Sequence, residues 1–368
     1  MLYLCTLKMT QEEIDKKYMR RCLQLAANGL GRVRPNPLVG CVVARQTESG
    51  EWRVESEGYH QYYGGWHAER NALLRASQLS TFNSQLSTLY VNLEPCSHYG
   101  HTPPCADLII EKGIRRVVCC NDDPNPLVAG GGFRKLEAAG IEVVRHVLEA
   151  EGRELNRRFF TFMEQQRPYV ILKWAESKDG YMAPSPNSQS EQKENSDSSF
   201  SSDCNKKYWL STQEQNRLNH RWRTEEAAIL VGSETFLRDH PSLTARHYLG
   251  SQPQPVVLDR RGRLLSQSEV ISQSGLKESS DSSFSSDCNK REWLVLRSQT
   301  IPEVLHALYE HKLQSVIVEG GRQMLDAFIE SGLYDEVRIL RSLQTLGSGL
   351  KAPAIPPIAP NRLIIIEP

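Results

Sequence analysis

His67-Ala68-Glu69 and, further on, Glu94-Pro95-Cys96-Ser97-His98-Tyr99-Gly100-His101-Thr102-Pro103-Pro104-Cys105 form the stretch from which the rest of the chain can be read. One imidazole and two thiols, His67, Cys96 and Cys105, can supply three metal ligands. A structural zinc is normally closed by four protein ligands, whereas a catalytic zinc keeps one position open for water, so three ligands favour chemistry. Bound zinc lowers the pKa of its water from about 15.7 to about 7, and a carboxylate beside that water can carry protons. Glu69, two residues from His67, is the candidate. Residues at i and i+2 do not share a helix face. His67 must therefore lie in the irregular start of the helix expected over Ala68 to Ala76.

The flanks place the cysteines. Leu89 to Leu93 is an apolar run with β propensity that stops at Glu94-Pro95, so Cys96 follows a strand. Pro103-Pro104 precedes Cys105, and Ala106 to Lys112 has helical spacing that Gly113 ends. Cys105 thus falls near a helix N-terminus, where partial positive charge favours the thiolate. A His-x-Glu followed by Pro-Cys and a second Cys is the arrangement of zinc nucleobase deaminases, whose Glu is not a ligand. Eight residues separate the two cysteines here, so the match is to the class and not to its commonest spacing. His98 and His101 read as lining or surface residues.

Composition narrows the function. At 368 residues the chain suggests about two domains. Lys+Arg and Asp+Glu are both 44, so the basic excess typical of nucleic-acid binding is absent and no nucleic-acid partner is expected. No apolar run approaches the ~20 residues that span a membrane, and the opening residues lack the apolar core of a signal peptide. Nine cysteines without a framework pattern suit a reducing compartment, and a cytoplasmic location is expected.

Around the opening stretch, the pattern alternates. Thr10-Gln11-Glu12-Glu13 is a capping box that opens an amphipathic helix with Ile14, Tyr18, Cys22 and Leu25 on one face. Arg34-Pro35-Asn36-Pro37 is a proline-braced loop leading into a buried strand, and Asn36 and, after the next strand, His60 are candidates to face a ligand. Ser77-Gln-Leu-Ser-Thr81 recurs as Ser84-Gln-Leu-Ser-Thr88 and reads as a duplicated surface loop. Strands at 116–120 and 141–144 flank a helix at 133–139, which makes a layered α/β domain over 9–148. A polar helical stretch, 149–166, reads as a linker to a second domain over 167–368.

Within that second domain, 184–207 and 272–290 both carry Asp-Ser-Ser-Phe-Ser-Ser-Asp-Cys-Asn-Lys and almost no apolar residues. Such segments bury too little surface to offset ordering entropy and are expected to be mobile insertions. Strands are expected at 167–173, 227–231, 255–258, 293–296 and 315–318. The last stops at Glu319-Gly320-Gly321 and opens a helix at Arg322. A strand, a glycine pair and a helix N-terminus offer N–H groups and a dipole to a phosphate. The run is not G-x-G-x-x-G, so a standard Rossmann site is not supported.

Taken together, His67-Ala-Glu, the Glu94 to Cys105 loop and Asn121-Asp-x-Pro-Asn-Pro-Leu-Val-Ala-Gly130 resemble the bifunctional deaminase-reductase family of riboflavin biosynthesis. In the second half, Lys173-x-Ala-x-Ser-x-Asp-Gly180, Trp209, His220-x-x-Arg223, Gly232-x-x-Thr235, Asp239-x-Pro-x-Leu-Thr-x-Arg246 and Glu319-Gly-Gly321 are similar to that family's reductase domain. The resemblance implies a cytidine-deaminase-like α/β/α domain followed by a dihydrofolate-reductase-like α/β domain. It implies zinc and NADPH as cofactors and a small pyrimidine nucleotide as substrate, first deaminated with a zinc-activated water and then reduced from ribosyl to ribityl. It places Ala175, Trp209, Thr235, Asp239 and Gly321 against the cofactor, and Arg223, Leu243, Arg246 and Glu319 against the substrate. Two arginines would clamp the sugar phosphate, Asp179 is a candidate proton donor, and a homo-oligomer is expected. His101 stands where the family usually has Arg, Gly131 where it often has Lys, Lys178 where Leu is common and Lys207 where Ser is usual. The rival is a zinc nucleoside or nucleic-acid deaminase with a non-catalytic nucleotide-binding second domain.

Overall fold

The computed structural model describes residues 9–80, 82–100, 102–125, 129–185, 210–264, 292–355 and 362–368. The chain divides into two compact units, one ending at Gln166 and the other starting at Arg167. Most of the two repeat-bearing segments, Lys207 included, lies outside the described residues, as do Trp209 and His101.

In the first unit, helix α1 (Gln11–Ala27) starts at the expected capping box. Thr10 Oγ1 accepts the Glu13 N–H, and the Glu13 carboxylate accepts the Thr10 N–H, which satisfies two end donors. There follow β1 (Gly40–Gln46), β2 (Trp52–Tyr59), α2 (Ala68–Ala76), β3 (Ser87–Leu93), α3 (Cys105–Glu111), β4 (Arg116–Asn121), α4 (Gly131–Ala138), β5 (Glu142–Val144), α5 (Glu149–Leu155) and α6 (Arg157–Gln165). The sheet order is β2-β1-β3-β4-β5, with β1 antiparallel to both neighbours and β3, β4 and β5 parallel. Alternation along β1 sends Val42 and Ala44 toward Tyr18, Met19 and Cys22 of α1. Cys41 and Val43 join Ala72, Leu73, Ile109 and Phe133 of the helices on the other face. Both faces of the sheet are thereby covered, and all seven residues of β3 are buried.

Two expectations are corrected here. Residues 149–166 are not a linker: they fold as α5 and α6 within the first unit, and Phe159 and Phe160 pack with Leu93 in a buried cluster. Their polar composition had masked a short aromatic stripe. The second copy of the Ser-Gln-Leu-Ser-Thr repeat is not surface loop throughout, because Ser87 and Thr88 are buried at the start of β3.

The second unit comprises β6 (Tyr169–Glu176), β7 (Tyr181–Pro184), α7 (Gln213–Glu225), β8 (Ala228–Gly232), α8 (Ser233–Asp239), β9 (Gln254–Leu258), β10 (Leu294–Leu296), α9 (Ile301–Glu310), β11 (Ser315–Val318), α10 (Arg322–Ser331), β12 (Glu336–Arg341), β13 (Gly349–Lys351) and β14 (Arg362–Ile366). Its main sheet runs β10-β9-β8-β11-β6-β12-β14, parallel at every described pairing. Near-continuous Val/Ile/Leu runs such as Ala228 to Val231 and Ser315 to Val318 are what such doubly covered strands require. Parallel strands end at one edge, so β8, β11 and β6 deliver Gly232, Glu319 and Glu176 to the same side. Among the described residues no helix is long and apolar enough to cross a membrane.

Candidate active sites

Three side chains converge in the first unit. His67 is the N-cap of α2, with extended φ −68° and ψ 162°, so its ring leaves the helix direction and can meet residues from other elements. Its Nδ1 lies 3.5 Å from Cys96 Sγ and 3.4 Å from Cys105 Sγ, and the three ligand atoms all lie within 4.8 Å of one another. A tetrahedral zinc with Zn–S near 2.3 Å and Zn–N near 2.0–2.1 Å requires N···S separations of about 3.5 Å. The donor set therefore fits zinc in chemistry and spacing.

The surroundings refine the roles. Cys105 is the first residue of α3, yet its backbone N–H points at Cys96 Sγ, 3.4 Å away. The helix start thus favours the thiolate of Cys96 rather than that of Cys105. A hydrogen bond from the Cys105 thiol, opposed by burial and reinforced by His67, holds the Cys96 pKa below the usual thiol range. Glu69 is 3% exposed. Burial pushes its carboxyl up to about 7 against the pull of the His67 charge, so it can both take and give a proton near neutrality.

His60 and Asn36 join the same wall. The His60 ring is buried and stands edge-on to His67 at 5.5 Å. Its Nδ1 lies 3.0 Å from the Trp66 carbonyl, an acceptor, so Nδ1 carries the proton. Its Nε2 is then the acceptor for Asn36 Nδ2 at 3.1 Å. The Asn36 side-chain oxygen is thus not the atom that His60 engages. Burial lowers the His60 pKa, in keeping with a neutral ring.

Glu94 was quoted in the motif but given no role. It is 4% exposed. Its carboxylate accepts the N–H groups of Asp123 (3.3 Å), Gly130 (3.0 Å), Gly132 (2.9 Å) and Phe133 (3.4 Å). It therefore caps α4 and ties the Asn121 to Gly130 loop to the cysteine loop. The two loops touch: a Cβ on Gly132 would lie 1.9 Å from the Pro95 carbonyl oxygen. The signal available in sequence was the Gly130-Gly131-Gly132 run, in which Gly130 takes a left-handed φ of 70° and Gly132 meets the Pro95 backbone.

In the second unit, strand register builds a charged cluster. Val318 pairs with Leu172, so the next residues, Glu319 and Lys173, emerge side by side, and Lys173 Nζ lies 3.8 Å from Glu319 Oε1. From α7, Arg223 reaches the same carboxylate through Nη2 at 2.6 Å and Nε at 3.2 Å, and its Nη1 donates to the Thr244 carbonyl at 2.9 Å. Burial raises the Glu319 pKa, but Arg223 and then Lys173 outweigh it and hold it at about 2. Burial lowers the Lys173 pKa, opposed by Glu319. Lys173, earlier only part of a motif, is thus central to this site.

The remaining residues divide. Of the two expected arginines, Arg223 is bonded to Glu319 and the Thr244 carbonyl, and Arg246 is exposed beside Ser242 Oγ at 3.0 Å. Leu243 is 3% exposed and packs in the core with Trp222, Val231 and Phe236. Only its backbone, at φ 47°, is left to shape the loop. Thr235 Oγ1 accepts the Gly321 N–H at 3.2 Å, which brings together the helix starts after β8 and β11, a place where parallel sheets receive phosphate-bearing ligands. Ala175 lies in β6, partly buried, and Asp239 is exposed at the end of α8. Asp179 accepts Ser177 Oγ (2.6 Å) and the N–H groups of Leu346 and Gly347 (3.0 and 2.7 Å). The Ser177 bond and the two amides keep it ionised at about 2. It is an anchor for the loop after β12 and has no proton to give at neutral pH.

Comparison with known proteins agrees with this division. Residues 12–121 match the family model of the cytidine and deoxycytidylate deaminase zinc-binding region, and residues 168–358 match that of the RibD C-terminal domain. The chain is 36% identical to riboflavin biosynthesis protein RibD of Aquifex aeolicus (strain VF5), covering 92% of this chain and 89% of that one. With RibD of Bacillus amyloliquefaciens it shares 37% identity, over 93% and 88% of the two chains. It also superimposes with a TM-score of 0.73 and 35% identity on a diaminohydroxyphosphoribosylaminopyrimidine deaminase/5-amino-6-(5-phosphoribosylamino)uracil reductase from Thermotoga maritima, covering 93% and 90% of the chains.

Proposed function

The chain belongs to the RibD family, the bifunctional deaminase-reductases of riboflavin biosynthesis, and on that premise we propose which of its residues perform the two reactions. The observation that carries the reading is the convergence of His67, Cys96 and Cys105 to zinc-ligand spacing beside a buried Glu69. These three side chains hold the metal. When bound, zinc supplies a water acidic enough to attack at neutral pH.

Glu69 takes a proton from the attacking water and passes it to the leaving nitrogen. The carbon–nitrogen bond breaks, a ring carbonyl forms and ammonia departs. Asn36 receives a hydrogen bond from the pyrimidine through its side-chain oxygen, and His60 keeps that amide in orientation. Both serve to place the amine-bearing carbon against Glu69.

In the second unit NADPH supplies hydride. Thr235, Gly321, Ala175 and Asp239 form its side of the crevice, with Trp209 added from the resemblance. Glu319 and Arg223 shape the substrate side, the Glu319 carboxylate holds the Lys173 ammonium in place, and Arg246 meets the substrate phosphate. Hydride and one proton convert the ribosyl group to the ribityl chain. The setting is cytoplasmic, in keeping with six described cysteines that are all unpaired.

One assay tests both halves. Protein, the phosphoribosylamino-diaminopyrimidinone and NADPH are incubated, and ammonia release and loss of the nicotinamide absorbance band are followed together. Both signals are expected. Ammonia without NADPH oxidation would refute the reductase half, and neither signal from zinc-loaded protein would refute both.

A further inference from the structure

The segment 149–166, expected as a linker, contributes a side chain to the support of the deaminase site. Asn156 sits between α5 and α6 and is 2% exposed. An Asn at a helix start ordinarily turns its side chain back to cap the helix, but this one makes no capping bond. Instead its Oδ1 accepts the Leu38 N–H at 2.7 Å and its Nδ2 donates to the Leu38 carbonyl at 2.9 Å. Both polar atoms of one peptide-bearing residue are bracketed by one amide.

A second buried amide completes the clamp from the sheet. Asn92, in β3 and 0% exposed, donates from Nδ2 to the same Leu38 carbonyl at 2.9 Å and accepts the Gly40 N–H at 2.7 Å. The neighbouring Val39 carbonyl accepts the His60 N–H at 2.9 Å. Leu38 is joined to Asn36 through Pro37, whose ring fixes φ, and the Asn36 N–H is bonded to the Val33 carbonyl at 2.8 Å. The Leu38 backbone therefore sets where Asn36 stands relative to His60.

We propose that Asn156, acting with Asn92 through Leu38, is a positioning residue for the deamination step, so that the helical segment after β5 is part of the deaminase site and not a tether. The inference rests on the reading of Asn36 as a substrate-binding residue. Neither Asn touches the substrate. A displaced Asn36 weakens alignment of the pyrimidine, while the metal ligands, which lie on other segments, keep their places.

The test uses the full-length, zinc-loaded enzyme with Asn156→Ala, Asn156→Asp and Asn36→Ala. KM and kcat for ammonia release, zinc content and NADPH oxidation on the deaminated substrate are measured for each. Asn156→Ala is expected to raise KM for ammonia release roughly 10- to 100-fold, with zinc content and NADPH oxidation as in the wild type. In Asn156→Asp the carboxylate cannot donate to the Leu38 carbonyl, but its protonated form can. Its KM defect relative to the wild type should therefore shrink as the pH falls at constant zinc content, whereas a role confined to stability would leave KM at the wild-type value throughout. This variant also carries the test if Asn156→Ala does not fold. Wild-type KM in Asn156→Ala overturns the inference, as does activity lost only in proportion to zinc, or a defect in Asn156→Asp that is indifferent to pH. If Asn36→Ala leaves ammonia release untouched, the reading of Asn36 fails. If Asn36→Ala is impaired while Asn156→Ala is normal, only the present inference fails.

Discussion

The Arg223 guanidinium closes on the Glu319 carboxylate with two hydrogen bonds, of 2.6 and 3.2 Å, and so spends on a neighbour the fork that could have held a phosphate. Lys173 approaches the same carboxylate from the adjacent strand. One anion thus engages two partly buried cations.

Replacing Glu319 with Gln should lower NADPH oxidation by roughly 100-fold, the cost of misplacing groups that align a substrate, and leave ammonia release unchanged. Parallel assays of the two reactions on one preparation check this.

The same pair gives a pH dependence whose sign follows from linkage. The folded Glu319 pKa is about 2, below its ordinary 4.5, so its stabilisation is complete above about 4.5 and is lost as pH falls toward 2. His220 acts in the same direction. Burial, then Arg223, lowers it from 6.5 to about 4, so below 6.5 the unfolded chain binds a proton that the folded chain refuses. Urea unfolding from pH 7 to about pH 2.5 should show declining stability of the second unit, with His220 acting below 6.5 and Glu319 below about 4.5, and Glu319→Gln should flatten the more acidic part.

Glu69→Gln should reduce ammonia release by about 100- to 10,000-fold, the range for a lost general acid-base group, with zinc content unchanged. Removing the metal with a chelator should abolish ammonia release and leave NADPH oxidation on deaminated substrate intact. Metal analysis beside both assays decides the matter.

At Gly132 the added methyl of Ala would fall 1.9 Å from the Pro95 carbonyl oxygen. Backbone cannot yield that much locally, so the Pro95-Cys96 peptide must move, and overpacking of this kind costs about 1–3 kcal/mol. Gly132→Ala should bind zinc more weakly and lose ammonia release in step with zinc, as read by metal titration.

Glu94→Ala removes the acceptor of four N–H groups at once. Buried donors left without a partner cost about 1–3 kcal/mol. The unfolding midpoint of the first unit should fall, with NADPH oxidation at ambient temperature retained.

The amino-acid sequence by itself determined the elements that carry local signals. The capping box at Thr10, the helix after His67, the strand before Glu94 and the strand-glycine-helix junction at Glu319 each depend on residues within a few positions of one another. The grouping of His67, Cys96 and Cys105 was legible for the same reason, since each sits near the end of an element whose pattern shows where it stops. Three things were decided only by tertiary structure. The polar stretch 149–166 was too short and too charged to betray that Phe159 and Phe160 would find Leu93. Lys173 was only part of a motif until the register of β11 against β6 set it beside Glu319, with Arg223 reaching the same carboxylate from α7. The tasks of Glu94 and Asn156 lie in hydrogen bonds to backbone 29 or more and 118 residues away, and no side-chain pattern in a sequence specifies which distant N–H or carbonyl a buried polar group will satisfy.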